Sequence, residues 1–202
     1  MESRTIESSL LFQAPAFYGR ELASSEVPSL QTFFEANPEY FFAVNGRPAN
    51  PDEAQVEFNE YPPSHLSFTK RWFAGLFDRT HNIVGFAIVV EDLCAKQVWH
   101  IGLFIVATSL HGQGVAPQIY DALENWMRQC GARWLRLGVV QGNARAERFW
   151  SKKGYCQVRV REGVDTGGRV NTVRVLVKSL DGLELTEYLR LVPRDEPGST
   201  LL

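Results

Sequence analysis

Three apolar runs that follow one another with little between them, RWFAGLFD, NIVGFAIVVED and QVWHIGLFIV, constrain this chain more than any other feature. They are dense in β-branched and aromatic residues, which fit a pleated, half-buried surface. Only RTH and LCAK separate them, so they predict a β-meander. After the meander the periodicity changes. Val115, Ile119, Tyr120, Leu123, Trp126 and Met127 recur at helical spacing, and Gly131 stands where a C-terminal glycine cap belongs. RWLRLGVV then reads as a strand and NARAERFWSKKG as a second glycine-closed helix. YCQVRVRE and NTVRVLVKSL form a hairpin around GVDTGG.

The segment before the meander is less regular. SLLFQAPAF predicts a short strand or extended arm. Leu30, Phe33 and Phe34 mark a helix that Ser25 or Ser29 would cap and Pro38 would stop. From Asn45 a Pro-, Asn- and acid-rich stretch predicts a surface excursion with one short helix beginning near Pro51 or Asp52. Strands, then helix, strand, helix and strands, give an α/β or α+β layer fold with one mixed sheet.

At 202 residues and 45% hydrophobic content the chain can bury one sizeable core. One domain over residues 1–192 is expected, with 193–202 a flexible tail of loose composition. A formal net charge of -2 provides no polybasic footprint, so nucleic acid and anionic membrane are disfavoured as partners. No run approaches the ~20 apolar residues of a membrane helix, and MESRTIESSLLF has acids where a signal peptide needs bases. A soluble cytoplasmic protein is expected. Cys94, Cys130 and Cys156 show no CxxC spacing, and the four histidines do not cluster at ligand intervals. Reduced, buried cysteines and no metal site follow.

HGQGVA, from His111 to Ala116, lies directly in front of the first long helix. A helix start leaves backbone N–H groups unpaired and carries the positive end of the dipole, and glycines there let a phosphate approach closely. Alone, the pattern is equally an ordinary tight turn. IGLFIVATSLHGQGVA, followed by helix, strand and NARAERFWSKKGY, resembles the two central motifs of the GNAT superfamily, the acyl-CoA-dependent N-acetyltransferases. The first motif matches at His111, Gly112, Gly114 and Ala116, the second at Asn143, Ala146, Phe149, Trp150, Gly154 and Tyr155. The likeness is detailed over about residues 71 to 180.

The resemblance implies a mixed, mostly antiparallel central sheet flanked by helices and splayed between the fourth and fifth of the expected strands. It implies acetyl-CoA as cosubstrate, its pyrophosphate held by the amides of His111, Gly112, Gln113, Gly114, Val115 and Ala116. Its pantetheine arm would pair with the strand carrying Phe104, Ile105 and Val106, a backbone amide of which would polarise the thioester carbonyl. Asn143, Ala146 and Trp150 would flank the cofactor, although Asn143 equally reads as a helix N-cap. The implied activity is acetyl transfer to a primary amine in a ternary complex.

Many family members supply an acid from a tyrosine at the position of Trp150, and an indole has no comparable proton to give. Tyr155 reads as packing, and Tyr120 is a substitute acid from outside the pattern. For the base, His100 shares the strand of the carbonyl donor and titrates near neutrality, with Glu91 and Asp92 as alternatives. Trp150 also motivates another reading, a module that binds acetyl-CoA without catalysis. Between Asn37 and Tyr61, Glu39, Asp52, Glu53, Glu57 and Glu60 interleave with aromatics around the single basic Arg47. This segment is expected to line the entrance for an amine acceptor, a small molecule first and a peptide or protein amine second. Strand exchange or packing through LELTEYLRLV would make a homodimer.

Overall fold

The computed structural model describes residues 10–201. Within them an eight-stranded sheet has the order β1-β2-β3-β4-β5-β6-β8-β7. The strands are β1 (Leu10–Gln13), β2 (Phe17–Glu21), β3 (Lys70–Asp78), β4 (Ile83–Glu91), β5 (Val98–Val106), β6 (Trp134–Val140), β7 (Cys156–Asp165) and β8 (Val170–Ser179). The helices are α1 (Val27–Ala36), α2 (Glu39–Asn45), α3 (Glu53–Asn59), α4 (Val115–Gln129), α5 (Ala144–Lys152) and α6 (Leu185–Leu191). Every recorded strand pairing is antiparallel except β5 with β6, and the expected meander is β3-β4-β5.

The period-2 alternation of the strands assigns the two faces. Ala87 and Val89 of β4, with Trp99 and Ile101 of β5 and Leu135 and Leu137 of β6, pack under Ile119, Tyr120, Leu123 and Met127 of α4. Phe86 and Ile88, on the opposite face, pack with Phe73 and with Leu30, Phe33 and Phe34 of α1. Farther along that second face, Val98, Trp134, Val175 and Val177 are covered by Tyr188 of α6 and by Val192. The second face therefore has two separate helical covers, α1 to α3 at one end and α6 at the other.

Beside β6 the register of β5 changes. Ile88 pairs with Leu103 but Val89 with Ile101, so Gly102 is one extra residue on β5. An extra residue bends a strand and increases its twist. The parallel ladder to β6 runs from Val98↔Trp134 and ends at Ile101↔Leu137, immediately before that residue.

Several expectations are corrected. Pro38 follows the end of α1 but is also the N-cap of α2, where its missing N–H costs no intrahelical bond and its carbonyl accepts from the Phe42 amide. Neither Ser25 nor Ser29 caps α1, whose N-cap is Glu26 without a side-chain bond. The arm SLLFQAPAF is a β1-β2 hairpin, and its Ser9 lies outside the described residues. Cys130 and Cys156 are exposed and Cys94 half-buried, since each sits where an element ends or a strand meets solvent.

The tail is not loose through its described part. Pro193–Asp195 forms a 3-10 turn in which Asp195 is fully buried, and Arg159 donates to the carbonyls of Arg194 and Ser199. A buried arginine partner outweighs the polar composition of the segment. LELTEYLRLV contributes α6, seated on its own sheet through Tyr188 against Trp134. Among the described residues no helix is long and apolar enough to cross a membrane.

Candidate active site

A cavity of about 1200 Å³ opens where the β5–β6 ladder stops. Its walls include Phe104 and Val106 with Leu137 and Val139, which belong to the α4 side of the sheet, and His100, Leu103 and Ile105 with Arg136, which belong to the other. The cavity is thus bounded from both faces. Asn37, Tyr40, Phe41 and the α3 acids Glu53 and Glu57, with Glu60, also line it.

The glycine turn stands beside this wall, where the Thr108 amide donates to Asn37 Oδ1 at 2.7 Å. Gly112 and Gly114 have φ of +77° and +76°, a region costly for residues with a Cβ. A Cβ built on either glycine meets nothing within 4 Å among the described residues, which leave the space above the turn open. Gly114 is the N-cap of α4 and offers no side-chain bond, which leaves the first-turn amides to an external acceptor. His111 and Ala116 line the cavity, whereas Gly112, Gln113, Gly114 and Val115 are outside its walls, at the rim. The turn's geometry fits a phosphate group.

His111 ties this rim together. Its Nδ1 accepts from Arg145 Nη1 at 2.9 Å, so its Nε2 carries the hydrogen that is donated to the Val106 carbonyl at 2.9 Å. Arg145 also holds Glu39 of α2 at 2.6 Å. Asn143 caps α5 by accepting from the Ala146 amide at 3.2 Å and lines the cavity as well, so its two expected positions coexist. Phe104, Ile105, Val106, Ala146 and Trp150 also line it. Trp150 is 7% exposed and packs edge-on against Tyr120, Tyr155 and Phe149.

The expected proton carriers fare differently. Tyr120 is fully buried outside the cavity wall, and its hydroxyl donates to Tyr155 at 2.9 Å. Burial drives its pKa far up, so it is a core residue and a poor acid. Glu91 ends β4 away from the cavity and accepts from Trp72 Nε1 at 3.3 Å. Asp92 accepts from the Gln97 amide at 2.6 Å and fixes the β4–β5 turn.

His100 does reach the cavity, opposite Arg136 in the parallel ladder. Burial first, then the Arg136 guanidinium 3.3 Å from its Nδ1, lower its pKa to about 3. It is a neutral ring and a weak proton acceptor at neutral pH. Glu57 behaves in the opposite way. Burial and the neighbouring Glu60 raise its pKa to about 7, against the opposing pull of Arg71.

Sequence reading did not single out the basic floor of the cavity. Arg136 interrupts an otherwise apolar strand, and Asp195 grips it through Nε at 2.7 Å and Nη2 at 3.0 Å. Arg161 of β7 lies beside them. The inward arginine in RWLRLGVV was a signal, but nothing in VPRDEPGSTLL marked Asp195 as its partner.

The acetyltransferase (GNAT) family model matches residues 30–155, which span the cavity's α2–α3 wall, the glycine turn and α5. The chain belongs to the GNAT family. No curated protein matches it. Among solved structures, an acetyltransferase from Thermus thermophilus aligns with TM-score 0.62 at 20% identity over 82% of this chain and 97% of its own. A spermidine N-acetyltransferase from Vibrio cholerae, in complex with CoA and spermine, aligns with TM-score 0.62 at 15% identity over 83% and 98%. A ribosomal-protein-S18-alanine N-acetyltransferase from Escherichia coli aligns with TM-score 0.58 at 13% identity over 83% and 99%. These likenesses show a GNAT fold, and the named acceptors are theirs.

Proposed function

We propose that this GNAT protein transfers an acetyl group from acetyl-CoA directly to a primary amine. The observation that carries this reading is a cavity bounded by both faces of the sheet whose lining includes His111 and Ala116 of an uncapped glycine turn and a titrating carboxylate, Glu57. Acetyl-CoA would supply the acyl group as an activated thioester. The amides of residues 111–116 would bind its pyrophosphate. Asn143, Ala146 and Trp150 would flank it, and the part of β5 beyond Gly102, free of β6, would offer backbone groups to its amides.

The amine must be neutral when it attacks. Glu57 is the cavity group whose pKa suits that task, and we assign it the role of proton acceptor in place of His100. A small acceptor is favoured by the cover on the cavity. The β7–β8 turn reaches α2, where Thr166 Oγ1 and Asn171 Nδ2 donate to the Val44 carbonyl at 3.0 and 2.8 Å, and Arg47 donates to Gly167 O at 3.2 Å. A folded protein surface would meet this bridge, whereas a small molecule passes beside it.

Thiol release from acetyl-CoA over neutral, cationic, aromatic, amino-acid and peptidyl amines tests the reading. Turnover on small amines is expected, and background hydrolysis throughout would overturn it. The second reading, an acetyl-CoA binder without catalysis, draws on Trp150 at the tyrosine position and on the Tyr120–Tyr155 pair buried behind it. Stoichiometric calorimetric binding of acetyl-CoA without turnover would favour it.

A further inference from the structure

The floor of the cavity carries more positive charge than its own carboxylate can satisfy. Asp195 Oδ2 accepts from Arg136 Nε at 2.7 Å and from the Tyr188 hydroxyl at 2.6 Å, and its Oδ1 accepts from Arg136 Nη2 at 3.0 Å. Arg161 Nη2 lies 3.9 Å from that same Oδ1, beyond hydrogen-bond reach. Arg161 Nε and Nη2 are buried yet have no hydrogen-bond partner among the described residues. Unpaired guanidinium donors are costly, and Nη1, which is not closed off like Nε and Nη2, is the donor this side chain leaves for a ligand's acceptor atom in the cavity it lines.

The neighbours do not relieve this charge. Arg159 and Arg194 add to the field that opposes Arg161, and Asp195 alone counters it. Arg159 spends its donors on tail carbonyls. Arg136 Nη1 donates to His100 Nδ1 at 3.3 Å, so the neutral His100 keeps its hydrogen on Nε2 as a further donor in the same wall.

We propose that Arg161, with Arg136 and His100, forms a carboxylate-binding subsite, and that the acceptor is therefore an amine that also bears a carboxylate, as an amino acid does. The proposal rests on the acetyl-transfer reading and narrows its acceptor. A guanidinium nitrogen gives a charge-assisted bond to one carboxylate oxygen, and the Nε2–H of His100 is a second donor for the other. The acids in the same cavity explain the choice over a phosphate. Glu53, Glu57 and Glu60 line the same cavity, and their field favours one negative charge over two while suiting the amine end of the molecule. Glu53 is already held by Arg47 at 2.9 Å, which leaves Glu57 and Glu60 for that end.

The experiment compares kcat/KM for each of the common amino acids with that for its carboxamide and for the aminophosphonate of matching length. The proteins are wild type, Arg161→Gln and Arg161→Lys, each checked by circular dichroism for a native fold. The wild type is expected to prefer the carboxylate by about 10- to 100-fold, chiefly through KM. Arg161→Gln should collapse that ratio toward one, and Arg161→Lys should restore part of it. A wild-type ratio near one, a preference for the phosphonate, or a ratio unmoved by Arg161→Gln would overturn the subsite. If no amine turns over, the acetyl-transfer reading fails, and the subsite is judged by calorimetric titration of N-acetyl amino acids against their amides. Tighter binding of an acid, lost in Arg161→Gln, supports the subsite. Equal binding, or none, overturns it.

Discussion

Replacing Glu57 by Gln should remove a pH dependence of stability that runs against the usual direction for a carboxylate. The pKa of Glu57 rises from 4.5 to about 7 because burial and Glu60 penalise its charged form. Below pH 4.5 both folded and unfolded chains hold the proton, and the contribution to stability is fully present. As pH rises, the unfolded chain ionises first and the folded one only near 7, so stability is lost across this window. A shift of about 2.5 units at 1.36 kcal/mol each makes the loss roughly 3 kcal/mol by pH 8. For a domain of this size that is roughly 6–12 °C in Tm. Gln has the same shape and no proton to lose. Thermal melts of both proteins from pH 4.5 to 8 should therefore diverge, with the variant gaining relative to wild type as pH rises. A constant offset between the two curves would refute the argument. The same substitution should remove the limb near pH 7 from the kcat/KM profile, and a limb retained in Glu57→Gln would show that another group takes the amine proton.

His100→Ala should leave that limb in place, because a ring with pKa about 3 is already neutral there; loss of the limb in the variant would return His100 to the role of base. Asp195→Asn strips the carboxylate from a fully buried pair and leaves the Arg136 charge uncompensated, at a cost of about 3–5 kcal/mol by chemical denaturation. Arg136 bonding and the Tyr188 hydroxyl outweigh burial to hold the pKa of Asp195 below its ordinary value, so its stabilisation is present above the unfolded pKa and lost as pH falls; an acid transition identical in both proteins would contradict this. Gly114→Ala meets no atom but must adopt φ of +76°, so a stability loss of about 1 kcal/mol and weaker acetyl-CoA binding by calorimetry are expected, and unchanged affinity would place the phosphate elsewhere.

The order of elements, the meander, the helix after HGQGVA and the family were determined by local sequence. Each depends on a period of two or 3.6 residues, or on glycines that a backbone angle requires, and such signals survive in one dimension. The acids of residues 37–61 were legible as a group from local composition. Tertiary structure alone decided which of them titrates, because the pKa of Glu57 comes from burial beside Glu60 on a helix packed over the cavity. It also decided that His100 faces a guanidinium, that Tyr120 is sealed against Tyr155, and that Arg136, thirty-six residues after His100, is its ladder partner. Asp195 is the clearest case. Its polar surroundings in the sequence predict a loose end, yet one buried bidentate pair with Arg136 and a bond from Tyr188 draw it under the sheet. Charge pairing across fifty-nine residues leaves no periodic trace, so only the fold could reveal it.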